Sequence, residues 1–287
     1  MRGRQQDMQN IRVVTDSASD IPPEVAAAHS IVVVPLSIHF GSKTYVSDED
    51  LSGAEFYRLM KTDDSFPRTS QPSVGRFEQA YTQLRDEGAE IISIHLSSKL
   101  SGTFAGASAA AKAVDGATVH LVDSLSGSMA EGAMVLAAAR MAADGCTAVE
   151  IVRYVEMMRG RTHVALMVDN LLHLQRGGRI GRAQSLLGTL LNVKPLISLD
   201  NGEVVPRQRV RTVQRALRDM ATEAQSSMPL QELRIMHANA PKLVDEFREL
   251  LQPIVNREVP AELIGPVIGT HIGEGAIGIV MVQAAPD

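Results

Sequence analysis

Apolar residues recur along this chain in two rhythms. Short branched runs at Ile11 to Val14, Ile31 to Ile38, Ile91 to Leu96 and Thr118 to Val122 read as strands buried on both faces of a sheet. Between them lie segments of helical spacing. Pro22 to Ala28 starts with proline in its first turn, and a helix through Phe56 to Met60 follows a Ser47 cap. Val74 to Glu87 sets Phe77, Tyr81 and Leu84 on one face, and Ala105 to Ala113, Met129 to Ala143 and Ala148 to Met158 continue the series. Such alternation predicts an α/β fold with a mostly parallel sheet and helices on both faces.

The polar stretch Arg159 to Thr162 reads as a domain boundary, after which the organisation changes. His163 to Val168, Lys194 to Leu199, Glu203 to Val210, Leu233 to His237, Glu258 to Ile264 and Ala276 to Gln283 have strand character. Ala183 to Leu191, Thr212 to Ser226 and Pro241 to Leu251 have helix character. Asp200-Asn201-Gly202 between two apolar runs signals a hairpin. The expectation is two α/β domains, 11–160 and 161–287, the second with a mixed sheet. At 287 residues the chain suits two domains of ordinary size.

Composition narrows the function. A formal net charge of -5 gives no bulk attraction to nucleic acid, and an aromatic content of 3% without tryptophan leaves little to stack on bases. The single cysteine, Cys146, excludes an intramolecular disulfide and suits a reducing compartment. The eight histidines show no metal-site spacing, so no metal is expected. Met1 to Asn10 has no apolar core and no later segment has 18 uninterrupted apolar residues, so a cytoplasmic protein without a transmembrane segment is expected. Thirteen methionines suit a chain-like ligand as well as an adaptable core.

Two hydroxyl-rich stretches carry the candidate chemistry. Ser97, Ser98, Ser101, Gly102 and Thr103 follow the strand at Ile91, and Thr69, Ser70 and Ser73 precede the helix at Val74. The N–H groups that open a helix attract an anion, and Ser101 and Thr69 stand where they would add O–H donors. Each also reads as an ordinary cap. Asp16, Asp48 and Asp50 resemble a Mg²⁺ set, yet each stands where a cap or turn acid is expected. Gly273-Glu-Gly275-Ala-Ile-Gly278 satisfies a dinucleotide fingerprint on paper, but nine residues after it are too few for such a unit, and a turn into the last strand accounts for it. His271 is flanked by glycines that leave its ring room to project. No P-loop or nucleophile elbow is present.

VVTDSASDIPPE from Val13, VVPLSIHFGSKTYVSDED from Val33, TSQPS from Thr69, LSSKLSGTF from Leu96, LVDSLSGSMAEG from Leu121, LQRGGRIGR from Leu174 and GPVIGTHIGEGAIG from Gly265 occur in the order of the DegV family, which the chain resembles from about Ile11 to nearly its last residue. The resemblance implies a bacterial fatty-acid-binding protein, itself non-catalytic and without cofactor, whose long-chain fatty acid lies between the domains. It implies that Thr69 and Ser101 bind the carboxylate, that His271 lies by it, and that Arg176, Arg207 and Arg211 face the ligand or a partner. Some members carry the acyl chain for a separate fatty acid kinase, which makes a kinase subunit the expected partner, with transient membrane contact left open. Glu274 stands where the family often has proline. The first domain is expected to supply the hydroxyls and most of the tail pocket, the second His271 and the basic loops. Two other classes stay open at this point: a self-sufficient phosphotransferase or hydrolase with Thr69 or Ser101 as nucleophile, and a regulatory lipid sensor.

Overall fold

The computed structural model describes residues 10–187 and 193–285. Its first half runs β1 (Ile11–Asp16), α1 (Pro23–Ala28), β2 (Val32–Val34), β3 (Ser37–Phe40), β4 (Lys43–Val46), α2 (Gly53–Thr62), β5 (Arg68–Ser70), α3 (Val74–Asp86), β6 (Glu90–His95), α4 (Thr103–Ala113), β7 (Val119–Asp123), α5 (Met129–Ala143) and α6 (Ala148–Arg159). The second runs β8 (Thr162–Met167), α7 (Leu172–Arg176), β9 (Lys194–Asp200), β10 (Glu203–Val210), α8 (Val213–Ser226), β11 (Leu230–His237), α9 (Pro241–Leu251), β12 (Ala261–Leu263), α10 (Pro266–Ile272) and β13 (Ile277–Gln283).

The expected parallel sheet is present, in the order β2-β1-β6-β7 with every pair parallel. Side chains alternate across it, so Val14 and Ile91 pack with Phe77 and Tyr81 of α3 and Ala107 and Ala110 of α4. Val13, Ile92 and Ile94 belong to the cluster that includes α5 and α6 on the other side. The second sheet is mixed, in the order β10-β9-β8-β13-β11-β12, with only β11 and β12 parallel. Ala165 and Met167 of β8 face α8 and α9, whereas Val164 and Leu166 face the first half of the chain. Helix α5 lies between the two sheets, touching β1 and β6 on one side and β8 and β13 on the other. That position buries the helix on every side: Met129 to Ala139 are buried without interruption and apolar but for Glu131, which accepts from the Thr15 hydroxyl at 3.1 Å.

Several expectations are corrected. The run Ile31 to Ile38 forms two strands, because Pro35 has no N–H to give a ladder and separates β2 from β3. Strands β4, β3 and β5 make a third, antiparallel sheet that the hydrophobic pattern does not announce. The cap of α2 is Ser52, which accepts from the Glu55 N–H at 3.3 Å, not Ser47. Residues 258–260 stay outside β12. In place of a helix over Ala183 to Leu191 there is a 3₁₀ turn at Gly181–Leu186, and residues 188–191 lie outside the described residues. The hairpin stands as expected, with Asn201 at φ 48° and Gly202 at φ 83°, both in the left-handed region that such a turn demands. Among the described residues no helix is long and apolar enough to cross a membrane.

Candidate functional site

Helix α10 packs against β3 and β5 of the third sheet and carries His271 in its last turn. Its first residue is Pro266, whose fixed φ suits that position, and Gly269 lets it lie against α2, since a Cβ there would come within 2.8 Å of both Phe56 and the Tyr57 hydroxyl. Tyr57 donates to the Ile264 carbonyl at 2.8 Å and so anchors the entry to the helix. From the last turn of α10 the His271 Nε2 reaches Thr69 Oγ1 at 2.9 Å. Thr69 does not open a helix as the sequence suggested. It sits in β5 opposite Ile38 of β3, and Ser73 caps α3 instead, accepting from the Arg76 N–H at 3.4 Å.

Gly177 closes the other side of the ring. A Cβ at this position would stand 2.3 Å from His271 Nδ1, so only glycine leaves the imidazole where it is. Gly178 then takes φ 71°, and the reversal brings Arg179 inward. Its guanidinium donates to the carbonyls of Leu100 (3.0 Å) and Gly177 (2.7 Å). The next residue after Leu100 is Ser101, whose Oγ accepts from the Thr103 N–H at 3.3 Å and lies 2.9 Å from Thr103 Oγ1. Ser101 is therefore not the cap of α4 that the capping reading made it; Gly102 is, and Ser101 lies one residue before it. Thr69, Ser101, Arg179 and His271 all line one cavity of about 840 Å³, counted to its mouth.

Electrostatics distinguish the two bases. Burial, together with the nearby Arg179 and His173, holds the His271 pKa down to about 4, so the ring is neutral at physiological pH. Its Nδ1 is buried against Gly177 without a hydrogen-bond partner. Arg179 is half-buried and among the described residues has no ion-pair partner; its bonds go to main-chain carbonyls. A charge so placed is poorly compensated, and an incoming anion would complete it. The cation at this end of the cavity is therefore Arg179, beside a neutral His271.

The remaining lining is mostly aliphatic, and the second half of the chain provides most of it. Leu36, Leu96 and Leu100 come from the first half, against Val164, Leu166, Ile197, Val204, Met236 and Val267 among others from the second. The expected division of labour is thus reversed for the tail pocket. Strands β8 and β9 present one face of their period-two alternation to the cavity, which is why Leu166 and Ile197, directly opposite in the ladder, both line it.

The three arginines singled out in the sequence lie elsewhere. Arg176 stacks over Phe66, 5.0 Å from the ring centre. Arg207 pairs with Glu223 on α8, and Arg211 is exposed beyond β10. Glu274 pairs with Lys61 at 2.8 Å and accepts from Asn239 at 2.6 Å, so its charge is already engaged.

Nor do the three aspartates share a site. Asp16 accepts from His95 Nδ1, the Leu96 N–H and the Ala18 N–H, each at 3.0 Å. Asp48 accepts from Ser47 and Asp50 from the Val46 N–H, both at 3.0 Å. Among the described residues no three His, Cys, Asp or Glu side chains are grouped to hold a metal. His95 continues to Ser93 (2.6 Å) and Ser93 to Tyr81 (2.7 Å), a network that is buried throughout. Asp20 ties the halves together, accepting from Ser128 at 2.5 Å and from the Gly265 N–H at 3.0 Å. The serine and aspartate repeats TDSASD and DSLSGS were the available signal for both features.

Comparison with known proteins places this architecture. The chain is 38% identical over 279 residues to protein DegV of Bacillus subtilis, covering 94% of this chain and 98% of that one. It is 38% identical over 280 residues to a DegV domain-containing protein of Halalkalibacterium halodurans, covering 95% and 98%. A DegV family protein from Thermus thermophilus, solved for its fatty acid binding, superposes with a TM-score of 0.90 at 31% identity over 96% of this chain and all of that one. The crystal structure of DegV of Bacillus subtilis, a fatty acid binding protein, gives 0.87 at 36% identity over 96% and 100%. With residues 10–284 also matching the model of the family described as uncharacterised protein, DegV family, the chain belongs to the DegV family.

Proposed function

We propose that the cavity binds a long-chain fatty acid, with its carboxylate among Thr69, Ser101 and Arg179, and that the protein presents this acid to a separate kinase without itself catalysing a reaction. The observation that carries the reading is an aliphatic cavity whose polar end holds hydroxyls and a half-buried arginine with no carboxylate partner among the described residues. A fatty acid is complementary on both counts. At ~0.8 kcal/mol per methylene, a tail of about 15 carbons offers roughly 12 kcal/mol of gross transfer energy, reduced by the cost of ordering it. Fatty acid binding by the Thermus and Bacillus relatives supports the assignment.

The hydrogen-bond pattern orients the donors. An N–H at Nδ1 of His271 would face Gly177 with no acceptor, so the proton belongs on Nε2, which donates to Thr69 Oγ1. The Thr69 hydroxyl is then free to donate into the cavity. The hydrolase alternative is weaker on the same geometry. His271 does reach Thr69, but with a pKa near 4 and no acceptor holding Nδ1 it is a poor general base, and Ser93 is buried within its own network. Kinase partnership follows from the family resemblance, the division into units 11–160 and 161–287 from the residue pattern and the cytoplasmic location from composition, and together they complete the proposal. Native mass spectrometry of protein purified without added lipid tests it. A bound mass in the fatty acid range, convertible to acyl phosphate by an added bacterial fatty acid kinase with ATP, is expected; an empty protein that turns over esters or phosphates by itself would refute it.

A further inference from the structure

The aliphatic cavity abuts a second one through a single layer of side chains. Leu166 and Ile197 face each other across β8 and β9 and line the first cavity. Two residues further along each strand, Val164 and Leu199 line both that cavity and another of about 710 Å³, the open solvent at its mouth included. Two residues further again, Thr162 and Asn201 line only the second. One face of the strand pair, continued at Asn201 into the hairpin turn, thus floors both spaces, advancing about 6.7 Å with each two residues of strand. Its direction is set by α7, which follows the carboxyl end of β8 and places Gly177 against His271. Moving from Leu166 to Thr162 leads away from the carboxylate end.

The second chamber has a different chemistry. Hydroxyls of Ser124 and Ser126, the half-buried Arg159 and, at its exposed side, the Asn201 amide and the Glu156 carboxylate line it, with Met134 of α5 as an adaptable apolar member. Arg159 donates to the Asp123 carbonyl at 2.8 Å and among the described residues has no ion-pair partner. Nothing in the binding of a plain hydrocarbon end calls for such a lining.

Resting on the fatty acid reading above, we infer that Val164 and Leu199 form a partition that stops a plain acyl chain, and that the polar chamber behind it receives the far end of a chain carrying a terminal hydroxyl. Before the partition each added methylene raises affinity about fourfold. Beyond it that gain vanishes, because the methylenes displace water from hydroxyls and a guanidinium, while a terminal hydroxyl replaces the lost hydrogen bonds.

Palmitic, stearic, arachidic and ω-hydroxyarachidic acids should be titrated into delipidated protein, unaltered and as Val164→Phe, with Leu199→Phe as a second variant at a partly exposed position. In the unaltered protein the gain per methylene is expected to fail within the plain series, and ω-hydroxyarachidic acid to bind about tenfold more tightly than arachidic acid, the effect of one buried hydrogen bond. Either variant should remove that advantage, and a single cooperative thermal unfolding transition like that of the parent reports that the variant is folded. Equal binding of arachidic acid and its ω-hydroxy form to the unaltered protein would overturn the inference while palmitic acid binding upholds the reading beneath it. A protein that binds none of the four acids overturns both.

Discussion

Gly177→Ala isolates the wedge that holds His271. Gly177 has φ −75° and ψ −11°, a helical conformation that alanine adopts freely, so the backbone raises no objection. The added Cβ, however, would stand 2.3 Å from His271 Nδ1 and 3.0 Å from both Cε1 and the His173 carbonyl. Restoring an ordinary contact of 3.4 Å requires a shift of 3.4 − 2.3 = 1.1 Å, and Thr69 at 2.9 Å blocks retreat on the far side. Overpacking of this kind costs about 1–3 kcal/mol, and loss of the Thr69 bond adds about 0.5–1.5 kcal/mol. A total of about 1.5–4.5 kcal/mol lowers Tm by roughly 2.5–7.5 °C in a chain of 287 residues. Gly75→Ala in α3 is the control: its Cβ meets nothing closer than 3.9 Å, so it should raise stability by about 0.4–1 kcal/mol. Differential scanning calorimetry of delipidated proteins measures both. If Gly177→Ala melts at or above the parent temperature, the enclosure of His271 by Gly177 and Thr69 is wrong.

Arg179→Met should weaken fatty acid binding about tenfold to a thousandfold, as expected on removing the cation from a partly desolvated carboxylate, while Arg207→Met should leave it unchanged; equal effects in a titration would reject the assignment of Arg179. Asp20→Asn should alter the dependence of stability on pH. Although part of this residue reaches the surface, its carboxyl is enclosed, and burial raises its pKa to about 8 from 3.8. The folded protein therefore binds the extra proton between those values, so stability falls as pH rises across that window. His271, lowered to about 4 from 6.5, has the opposite slope, but only below 6.5, where the unfolded state takes up its proton. Denaturant titrations from pH 6.5 to 8 should consequently show a flatter profile for Asp20→Asn than for the parent, and parallel profiles would contradict the enclosed carboxyl.

The strand and helix order of residues 11–158 is legible in the sequence because its helices and strands bury distinct faces. Phe77, Tyr81 and Leu84 point α3 at the sheet without help from any other segment. The small third sheet is not legible, since β5 is only Arg68–Ser70, three polar residues with no alternation to detect. Its absence from the pattern hides why Thr69 faces His271, some two hundred residues away, and makes a strand look like a cap. Arg179 is hidden for another reason. It shares a basic glycine-rich loop with Arg176 and Arg182, and only the left-handed turn at Gly178 decides which of them enters the cavity. The apolar lining was legible in principle, because Val164 and Leu166 alternate with residues facing α8, but alternation alone does not say that a face looks into a cavity rather than a packed core.

The proposed site matches an anionic head to the Arg179 cation and an aliphatic tail to the cavity beside it. Isothermal titration of delipidated protein with palmitic acid and with its methyl ester compares two ligands of the same tail, only one of them charged. The acid should bind at one molecule per chain and the ester at least about thirtyfold more weakly, the loss expected when a buried charge partner is removed. Equal affinity for the two would contradict the account, since the tail alone would then be recognised and Thr69, Ser101 and Arg179 would have no ligand to hold.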